Sequence, residues 1–438
     1  MSEQRPLLLT GATWYAEDGT ASTGDVLLLD GAVAATGRVD APTDAERLDA
    51  DGLVLLPGLV DLHTHLREPG REDAETIATG SRAAAVGGYT AVLAMANTNP
   101  VTDTAEAAER VLDLGRAAGW ADVVPVGAVS KGLEGAELAE LGLMHRSRAG
   151  VNVFSDDGHC VADGRLMRRA LEYVRAFGGV VSQHSQDPAL AGPQACCHEG
   201  EVSGRLGLPG WPSVAESSII ARDAMLAEHT NSRVHVAHVS TAEGLDVIRW
   251  AKARGIRVTA EVTPHHLALG TDLLTGYDPV FKVNPPLRPT EDQEALREAL
   301  IDGTIDAVAT DHAPHARHDK EHAFVDAAFG MLGLETAFSV VHDLLVADGR
   351  LGWGDLARVM SIGPARIAGL VDHGRPVAEG EPANLVLVDP AASVTVDRAA
   401  SQSLSRNTPW HGRSLSGAVH TTILRGRVTA REGEPTTC

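Results

Sequence analysis

One pattern restricts the possible folds of this chain more than any other: between residues 57 and 315 a short apolar run, a loop and an amphipathic stretch follow one another repeatedly. The apolar runs have the length of strands, and the amphipathic stretches carry apolar residues at the three-to-four spacing of helices. We predict eight strands, at residues 59–63, 89–95, 122–129, 151–155, 179–184, 233–239, 257–263 and 305–310.

Eight alternations of strand and helix predict an α/β fold, a (β/α)8 barrel of the TIM type. The reactive groups of such a barrel lie at the C-terminal ends of its strands. A doubly wound parallel sheet is the alternative, but it gives no reason for metal-binding residues to follow so many different strands.

The two ends of the chain have a different pattern, with short apolar runs separated by Gly and Asp turn signals. Each end is too small to bury a core alone, so we expect the two to combine. The predicted organisation is a barrel at residues 57–370 and a small β-sandwich satellite domain, built from residues 1–56 and 371–438.

Candidate metal ligands follow five of the predicted strands. His63 and His65 are two residues apart at the end of the first strand, so their side chains lie on one face and can bind the same ion, with Arg67 beside them. The other candidates are in Ser155-Asp156-Asp157-Gly158 and at His184, His238 and Asp311.

Taken singly, each of these residues has a structural explanation, because His184 and His238 could be core histidines and Asp311 a helix cap. Together they form a set of four imidazoles and two carboxylates, which exceeds the three protein ligands of a usual catalytic zinc. Two metal ions bridged by a carboxylate would use the whole set. Such a pair activates water and polarises a carbonyl group, which is chemistry for making or breaking an amide.

Composition excludes several other classes of function. A formal charge of -22 and a pI near 5.2 argue against binding to nucleic acid or to an acidic membrane surface. No apolar run approaches the roughly 18 residues needed to cross a bilayer, and the N-terminus lacks signal-peptide features, so we expect a cytoplasmic protein without membrane association. Four cysteines at irregular spacing, Cys160, Cys196, Cys197 and Cys438, predict reduced thiols.

A series of motifs in order along residues 57–337 resembles the bacterial dihydroorotases of the amidohydrolase superfamily. These motifs are PGLVDLHTHLREPG, GSRAAAVGGYT, ANTNP, FSDDG, EGEVSGRLGLPGWP, EVTPHHL, NPPLR, ATDHAPH and FGMLGLETA. One departure is Ala96, where related sequences carry proline.

The resemblance implies two zinc ions per subunit. His63, His65 and Asp311 would bind one ion and His184 and His238 the other. Asp157 would bridge them, since the bridging residue of this motif directly precedes the glycine.

The resemblance also implies the substrate site. Residues His65, Arg67, Asn97 and Asn284 would hold the carboxylate and amide groups of the small-molecule substrate, while His315 and the backbone of Phe329 and Gly330 would close over its ring. A guanidinium is a fork that matches a carboxylate, which suits Arg67 to this role. The long, polar segment at 315–331 is expected to form a mobile lid, with an ordinary solvated loop as the alternative.

The implied reaction is the reversible cyclisation of N-carbamoyl-L-aspartate to L-dihydroorotate, with loss of water, in de novo pyrimidine biosynthesis. A metal-bridging hydroxide would attack the ring in the hydrolytic direction, and Asp311 would act as general acid and base. The resemblance further implies a homodimer and an association with aspartate transcarbamoylase.

Two other functions stay open at this point. Hydantoinases and allantoinases open related rings but bridge their metals with a carboxylated lysine, and residues 151–155 contain no lysine; Lys131 is expected to be solvated or to lie behind the ligands. A non-catalytic homologue that assembles with aspartate transcarbamoylase is the third possibility, disfavoured because such homologues lose metal ligands. His265 and His266 are expected to be structural.

Overall fold

The computed structural model describes residues 5–436, so that Cys438 of the predicted thiols lies outside the described residues. The chain begins with five strands that belong to the satellite domain. They are β1 (Leu7–Tyr15), β2 (Ala21–Leu29), β3 (Ala32–Gly37), β4 (Glu46–Asp49) and β5 (Val54–Pro57).

The barrel region contains the next ten strands. They are β6 (Leu59–Thr64), β7 (Tyr89–Ala94), β8 (Asp122–Pro125), β9 (Val153–Phe154), β10 (Val180–Gln183), β11 (Cys197–His198), β12 (Gly210–Trp211), β13 (Val234–Val236), β14 (Val258–Val262) and β15 (Ala307–Val308). Strands β11 and β12 pair only with each other, and the other eight lie at the eight predicted positions.

These eight strands close into the predicted barrel. Hydrogen-bonded parallel pairs give one sheet in the order β6-β7-β8 and another in the order β9-β10-β13-β14-β15. Parallel bridges from Gly127 to Phe154 and from Thr64 to His312 join the two sheets at both edges. A closed ring has no free edge, which excludes the doubly wound alternative. Strands β8, β9, β13 and β15 are shorter than predicted, and the bridges at Gly127 and His312 lie beyond the ends of β8 and β15.

The C-terminal strands return to the N-terminal ones. They are β16 (Leu385–Thr395), β17 (Ser414–Leu424), β18 (Arg427–Arg431) and β19 (Glu434–Pro435). One sheet of both chain ends runs β19-β18-β17-β16-β5-β1-β2-β3, with β4 beside β1. On β16, Leu385 and Leu387 face the satellite core, and Val386 and Val388 face the barrel core, as the two-residue period of a strand requires.

Helices surround the barrel. They are α1 (Ile77–Val86), α2 (Ala105–Ala118), α3 (Leu141–Arg146), α4 (Gly164–Arg175), α5 (Pro188–Ala191), α6 (Glu201–Leu206), α7 (Val214–Thr230), α8 (Ala242–Ala253), α9 (Pro264–Ala268), α10 (Thr290–Ile301), α11 (Arg317–Lys320), α12 (Ala337–Val341), α13 (Trp353–Ala357) and α14 (Gly363–Ala368). Short 3-10 turns occupy Lys131–Leu133, Thr271–Gly276 and Pro279–Phe281, and π-helical turns occupy His342–Val346 and Arg358–Ile362.

Several of the predicted helices begin directly after a polar N-cap residue. The side chains of Thr76, Asp163 and Thr241 accept hydrogen bonds from the backbone of the first turns of α1, α4 and α8. None of the helices within residues 5–436 has the length and apolar character to cross a membrane. Cys160, Cys196 and Cys197 are free thiols.

Candidate active site

The predicted ligands from strands β6 and β15 meet at the C-terminal rim of the barrel. His65 Nε2 lies 3.3 Å from Asp157 Oδ2 and 3.1 Å from Asp311 Oδ1. His63 Nε2 lies 3.3 Å from Asp157 Oδ1 and 3.6 Å from Asp311 Oδ1. All four side chains are buried, so their donor atoms face one another rather than solvent.

A second group of donors lies beside the first and shares Asp157 with it. His184 Nδ1 and His238 Nε2 are 2.9 Å apart, and they lie 3.2 and 3.3 Å from Asp157 Oδ1. The two histidines follow β10 and β13, the neighbouring strands of the barrel. The structure therefore brings together all six of the residues that the resemblance implies as ligands.

This donor set fits two metal ions. Ligand atoms about 2.1 Å from one tetrahedral ion are about 3.4 Å from each other, close to the separations found here. Asp157 lies in two of the three groups of His and Asp side chains within residues 5–436 that could hold an ion, and its two oxygens face different histidines. His63 Nε2 is buried and forms no hydrogen bond within the described part of the chain, as expected for an atom that binds a metal.

The electrostatics of the site also favour bound cations. Burial alone would lower the pKa of His63, but Asp157 and Asp311 outweigh burial and hold that pKa well above its usual value. Burial would raise the pKa of Asp311, yet His63 and His65 hold it well below its usual value. Burial would also raise the pKa of Asp157, yet His63, His184 and His238 hold it well below its usual value, so both carboxyl groups are ionised and suited to bind a cation.

Three of the site residues have left-handed backbone conformations, with φ of +61° at Arg67, +30° at His238 and +47° at Asp311. Side chains other than glycine rarely adopt this conformation, and residues that do so cluster at functional sites. The adjacent Asp156 points away from the ligands and accepts hydrogen bonds from the backbone of Val129 and Ser130. The backbone thus directs two consecutive aspartates to different tasks.

Glu261 on β14 is a site residue that the sequence analysis missed. Its Oε1 accepts a hydrogen bond from His63 Nδ1 at 2.9 Å, and its Oε2 one from His235 Nε2 at 3.0 Å. Burial raises the pKa of Glu261, but these two imidazoles lower it to about 2, so the group is a carboxylate. With its Nδ1 proton held there, His63 presents Nε2 to the metal site. The feature of the sequence that could have identified Glu261 was an acidic residue within a buried strand.

The two asparagines implied for substrate binding lie beside the ligands. Asn97 accepts a hydrogen bond from His65 Nδ1 at 2.9 Å and donates to the backbone oxygen of Asp157 at 3.2 Å. Asn284 donates to Gln186 Oε1, which also contacts His184 Nε2 at 2.8 Å. The Asn284 Oδ1 atom is buried with no hydrogen-bond partner among residues 5–436, so it is available to accept from a ligand amide.

Arg67 and His315 form the other wall of the site. Arg67 Nε donates to Pro314 O at 3.0 Å, and its Nη2 lies 3.3 Å from His315 Nε2, which itself lies 2.6 Å from Phe329 O. No carboxylate in the described residues pairs with Arg67. Burial and Arg67 lower the pKa of His315 to about 2, so this imidazole is neutral.

The segment predicted as a lid contains α11 and is fastened by two lysines. Lys320 Nζ donates to the backbone oxygens of Ala328 and Gly330, at 2.8 and 3.0 Å. Lys282 Nζ donates to the backbone oxygens of Val325 and Ala327, at 2.8 and 2.7 Å. Lys282 thus attaches the segment to a neighbouring part of the chain, and Lys320 ties α11 to the end of the segment, so it is not a plain solvated loop.

The remaining candidates lie outside the ligand set. Lys131 is exposed and pairs with Glu137. His266 is buried and contacts Thr263 Oγ1 and Pro285 O through its two ring nitrogens. His265 is buried beside it, and its Nε2 has no hydrogen-bond partner in the described part of the molecule.

Comparison with known proteins places this geometry among characterised enzyme families. Residues 52–244 match the family model described as dihydro-orotase-like, and residues 214–429 match the amidohydrolase family model. The dihydroorotase of Streptomyces coelicolor is 60% identical over 412 residues, which cover 94% of this chain and 96% of that protein. The dihydroorotase of Mycobacterium tuberculosis is 54% identical over 98% of this chain and 99% of its own.

Solved structures with the same fold include an L-hydantoinase (dihydropyrimidinase) from Arthrobacter aurescens. It superposes with a TM-score of 0.88 at 28% sequence identity, and the match covers 99% of this chain and 98% of the hydantoinase. A D-hydantoinase superposes with a TM-score of 0.84 at 21% identity, which supports the fold alone.

Proposed function

The chain belongs to the dihydroorotases, metal-dependent cyclic amide hydrolases of the amidohydrolase superfamily, and we propose that two zinc ions and Asp311 carry out the reaction here. Dihydroorotases reversibly cyclise N-carbamoyl-L-aspartate to L-dihydroorotate, with loss of water, in pyrimidine biosynthesis. The observation that carries the proposal is the pair of ligand clusters sharing Asp157, next to the unpaired guanidinium of Arg67.

In this proposal His63, His65 and Asp311 would hold one zinc ion, His184 and His238 would hold the second, and Asp157 would serve both. The separations of 2.9 to 3.6 Å among their donor atoms support it. Bound there, the ions would polarise the reacting carbonyl group and lower the pKa of water.

Asp311 is the proposed acid and base. During cyclisation the ureido nitrogen forms a bond to the side-chain carboxyl carbon, and Asp311 accepts the proton that the nitrogen loses. The carbon–oxygen bond then breaks, and the oxygen departs as water with the proton from Asp311 and one from solvent. In the hydrolytic direction Asp311 returns a proton to the ring nitrogen. His63 and His65 hold the pKa of Asp311 well below its usual value against its burial, so Asp311 is a carboxylate before the substrate reacts.

Substrate selection falls to the residues around the metal ligands. We assign to Arg67 the carboxylate that lies outside the reacting ring, with the neutral His315 beside it. The free Oδ1 of Asn284 is suited to accept from a ring or ureido N–H, while Asn97 holds His65 and contacts the same substrate. The backbone of Phe329 and Gly330 would close over the ring. A ring without a carboxylate would leave Arg67 buried and unpaired, which disfavours hydantoins.

The test is an assay of purified protein loaded with zinc against L-dihydroorotate, hydantoin and allantoin, with metal counted in the same preparation. We expect hydrolysis of L-dihydroorotate, cyclisation of N-carbamoyl-L-aspartate, and two zinc ions per chain. Ring opening of hydantoin or allantoin without turnover of dihydroorotate would instead assign the chain to that other activity.

Assembly and location complete the proposal. We propose a homodimer, associated with aspartate transcarbamoylase, on the family resemblance, and a cytoplasmic site, which the free thiols of Cys160, Cys196 and Cys197 support. Light scattering of the purified protein, alone and mixed with aspartate transcarbamoylase, tests the assembly; a monomer that ignores the transcarbamoylase would contradict it.

A further inference from the structure

A residue of the C-terminal segment, Asn407, reaches the rim of the barrel and is only 7% exposed. Its Oδ1 accepts a hydrogen bond from the backbone N–H of His315 at 3.2 Å. Its Nδ2 donates to the backbone oxygens of Ala313 at 2.9 Å and Gly330 at 3.2 Å. One amide side chain thus satisfies three backbone groups.

These three groups belong to two stretches of chain, at the beginning and the end of the lid segment. Ala313 and His315 lead out of the barrel after β15, and Gly330 lies where the chain returns. The N–H of Leu332 also donates to the backbone oxygen of Asn407, at 3.2 Å. Asn407 therefore joins the outgoing and returning stretches to each other and to the C-terminal segment. We call these hydrogen bonds the Asn407 clamp.

The two stretches are packed so closely that their separation matters. Gly330 has φ of +130°, and a Cβ at this position would lie 2.6 Å from the Cβ of Ala313 and 3.0 Å from His315 Nε2. His315 in turn contacts both Phe329 O and Arg67. A shift of either stretch would therefore displace the wall that faces the substrate.

We infer that Asn407 is a positioning residue for substrate binding: its amide fixes His315 and Gly330 at the separation that the substrate ring requires. The inference rests on the proposed function, because it takes His315, Phe329 and Gly330 as substrate-binding residues. Through Asn407, the C-terminal segment becomes part of the active site without touching the substrate or the metal ligands.

An amide side chain suits this position because it can accept one hydrogen bond and donate two. Alanine would leave the His315 N–H and the two carbonyl oxygens without this partner. Aspartate has the same shape and can still accept from His315, but its carboxylate would face the oxygens of Ala313 and Gly330, where a donor is needed. Asn407→Asp therefore removes the clamp with the least change of volume.

The experiment compares Asn407→Ala and Asn407→Asp with Asn384→Ala as a matched control. Asn384 is also buried, donates from Nδ2 to the backbone oxygen of Asp372 at 2.8 Å, and accepts from the N–H of Arg425 at 2.8 Å, but it lies in the satellite domain. Asn384→Ala therefore measures how much stability is lost when a buried asparagine away from the rim is removed.

We expect both Asn407 variants to raise KM for L-dihydroorotate about tenfold or more, while zinc content is unchanged, because displaced binding groups lose affinity without disturbing the ligands. Asn384→Ala should keep the wild-type KM although it lowers the melting temperature. Hydrogen exchange should speed up in peptides covering residues 313–316 and 328–332 of the Asn407 variants and not of the control.

A wild-type KM and unchanged exchange in Asn407→Asp would overturn the inference, as would an equal rise of KM in Asn384→Ala. If Asn407→Ala fails to fold, the isosteric aspartate variant decides the matter. Failure of the wild-type enzyme to process dihydroorotate would count against the proposed function, and hydrogen exchange would still report on the clamp.

Discussion

Glu261 and His63 form a buried carboxylate and imidazole pair, with 2.9 Å between Glu261 Oε1 and His63 Nδ1. The pair fixes which nitrogen of His63 carries the proton, and it leaves Nε2 for the metal site. A carboxylate that contacts a ligating histidine, and not the metal itself, thus determines which nitrogen of that histidine can bind the metal.

Glu261→Gln keeps the shape of this side chain and removes its charge. We expect zinc affinity to fall about 10-fold to 100-fold, as is usual when a carboxylate behind a ligating histidine is lost. Titration of the metal-free protein with zinc measures the change. Glu335→Gln, at a carboxylate that holds residues 401–403 instead, should bind zinc as the wild type does. Equal affinities in the two variants would remove the role given to Glu261.

Asp311→Asn should lower turnover of L-dihydroorotate by about a thousandfold, because an amide cannot accept the proton from the ureido nitrogen. The control is Asp306→Asn, just before β15, whose carboxylate instead pairs with Lys252 at 2.8 Å. Steady-state rates in both directions provide the measurement. Turnover in Asp311→Asn within tenfold of that of the control would rule out Asp311 as the acid and base.

The adjacent aspartates provide a test of the metal bridge. Asp157→Asn should lose zinc and most activity, since one side chain contacts both ligand groups. Asp156→Asn should retain two ions, because the Asp156 carboxylate instead accepts hydrogen bonds from the backbone N–H groups of Val129 and Ser130 and from the Ser130 hydroxyl. Chelator treatment, reloading and metal analysis give the counts. A single zinc ion in fully active wild-type enzyme would contradict a bridging role for Asp157.

Arg67→Ala should reduce kcat/KM for L-dihydroorotate by about a hundredfold or more, because the substrate carboxylate would be left without its buried partner. Arg67→Lys should recover little of the loss, since an ammonium group lacks the planar fork. Both variants should keep their zinc. The exposed Arg148, which pairs with Glu109 and Asp113, is a suitable control, and a similar loss in Arg148→Ala would show that the effect is general.

The lowered pKa of His315 predicts that the stability of the folded protein depends on pH. Burial and Arg67 lower its pKa in the folded state to about 2, below the usual value of 6.5. Between those two values the unfolded chain binds a proton that the folded chain does not, so stability is lost as pH falls below about 6.5. The folding equilibrium constant should change by up to about tenfold for each pH unit below that value. In denaturant titrations His315→Asn should show a shallower loss than the wild type, and equal slopes would disprove this.

The fold and the clustering of the proposed ligands were predictable from the sequence because they depend on periodic and local signals. Alternating apolar runs indicated eight strands, and His63, His65, His184, His238 and Asp311 each lie within three residues of the C-terminal end of one of them. The ends of parallel strands in a barrel converge, so strand assignment already brought these side chains together.

Residues that act through their neighbours carried no comparable signal. Glu261 is separated from His63 by 198 positions, and Asn407 from His315 by 92. Their roles arise from the closure of the barrel and from the return of the C-terminal segment to its rim. The lengths of β9 and β15, each only two residues, were likewise decided by pairing across the rim rather than by the local sequence.

The pairing of β5 with β16 joins Pro57 to Leu385 and Val54 to Val388, across more than three hundred residues. Contacts between such distant parts of the chain form late and slow folding. During synthesis a growing chain could assemble much of its barrel before β16 and Asn407 leave the ribosome. A product truncated before β16 would lack both the strand that pairs with β5 and the Asn407 hydrogen bonds to Ala313, His315 and Gly330.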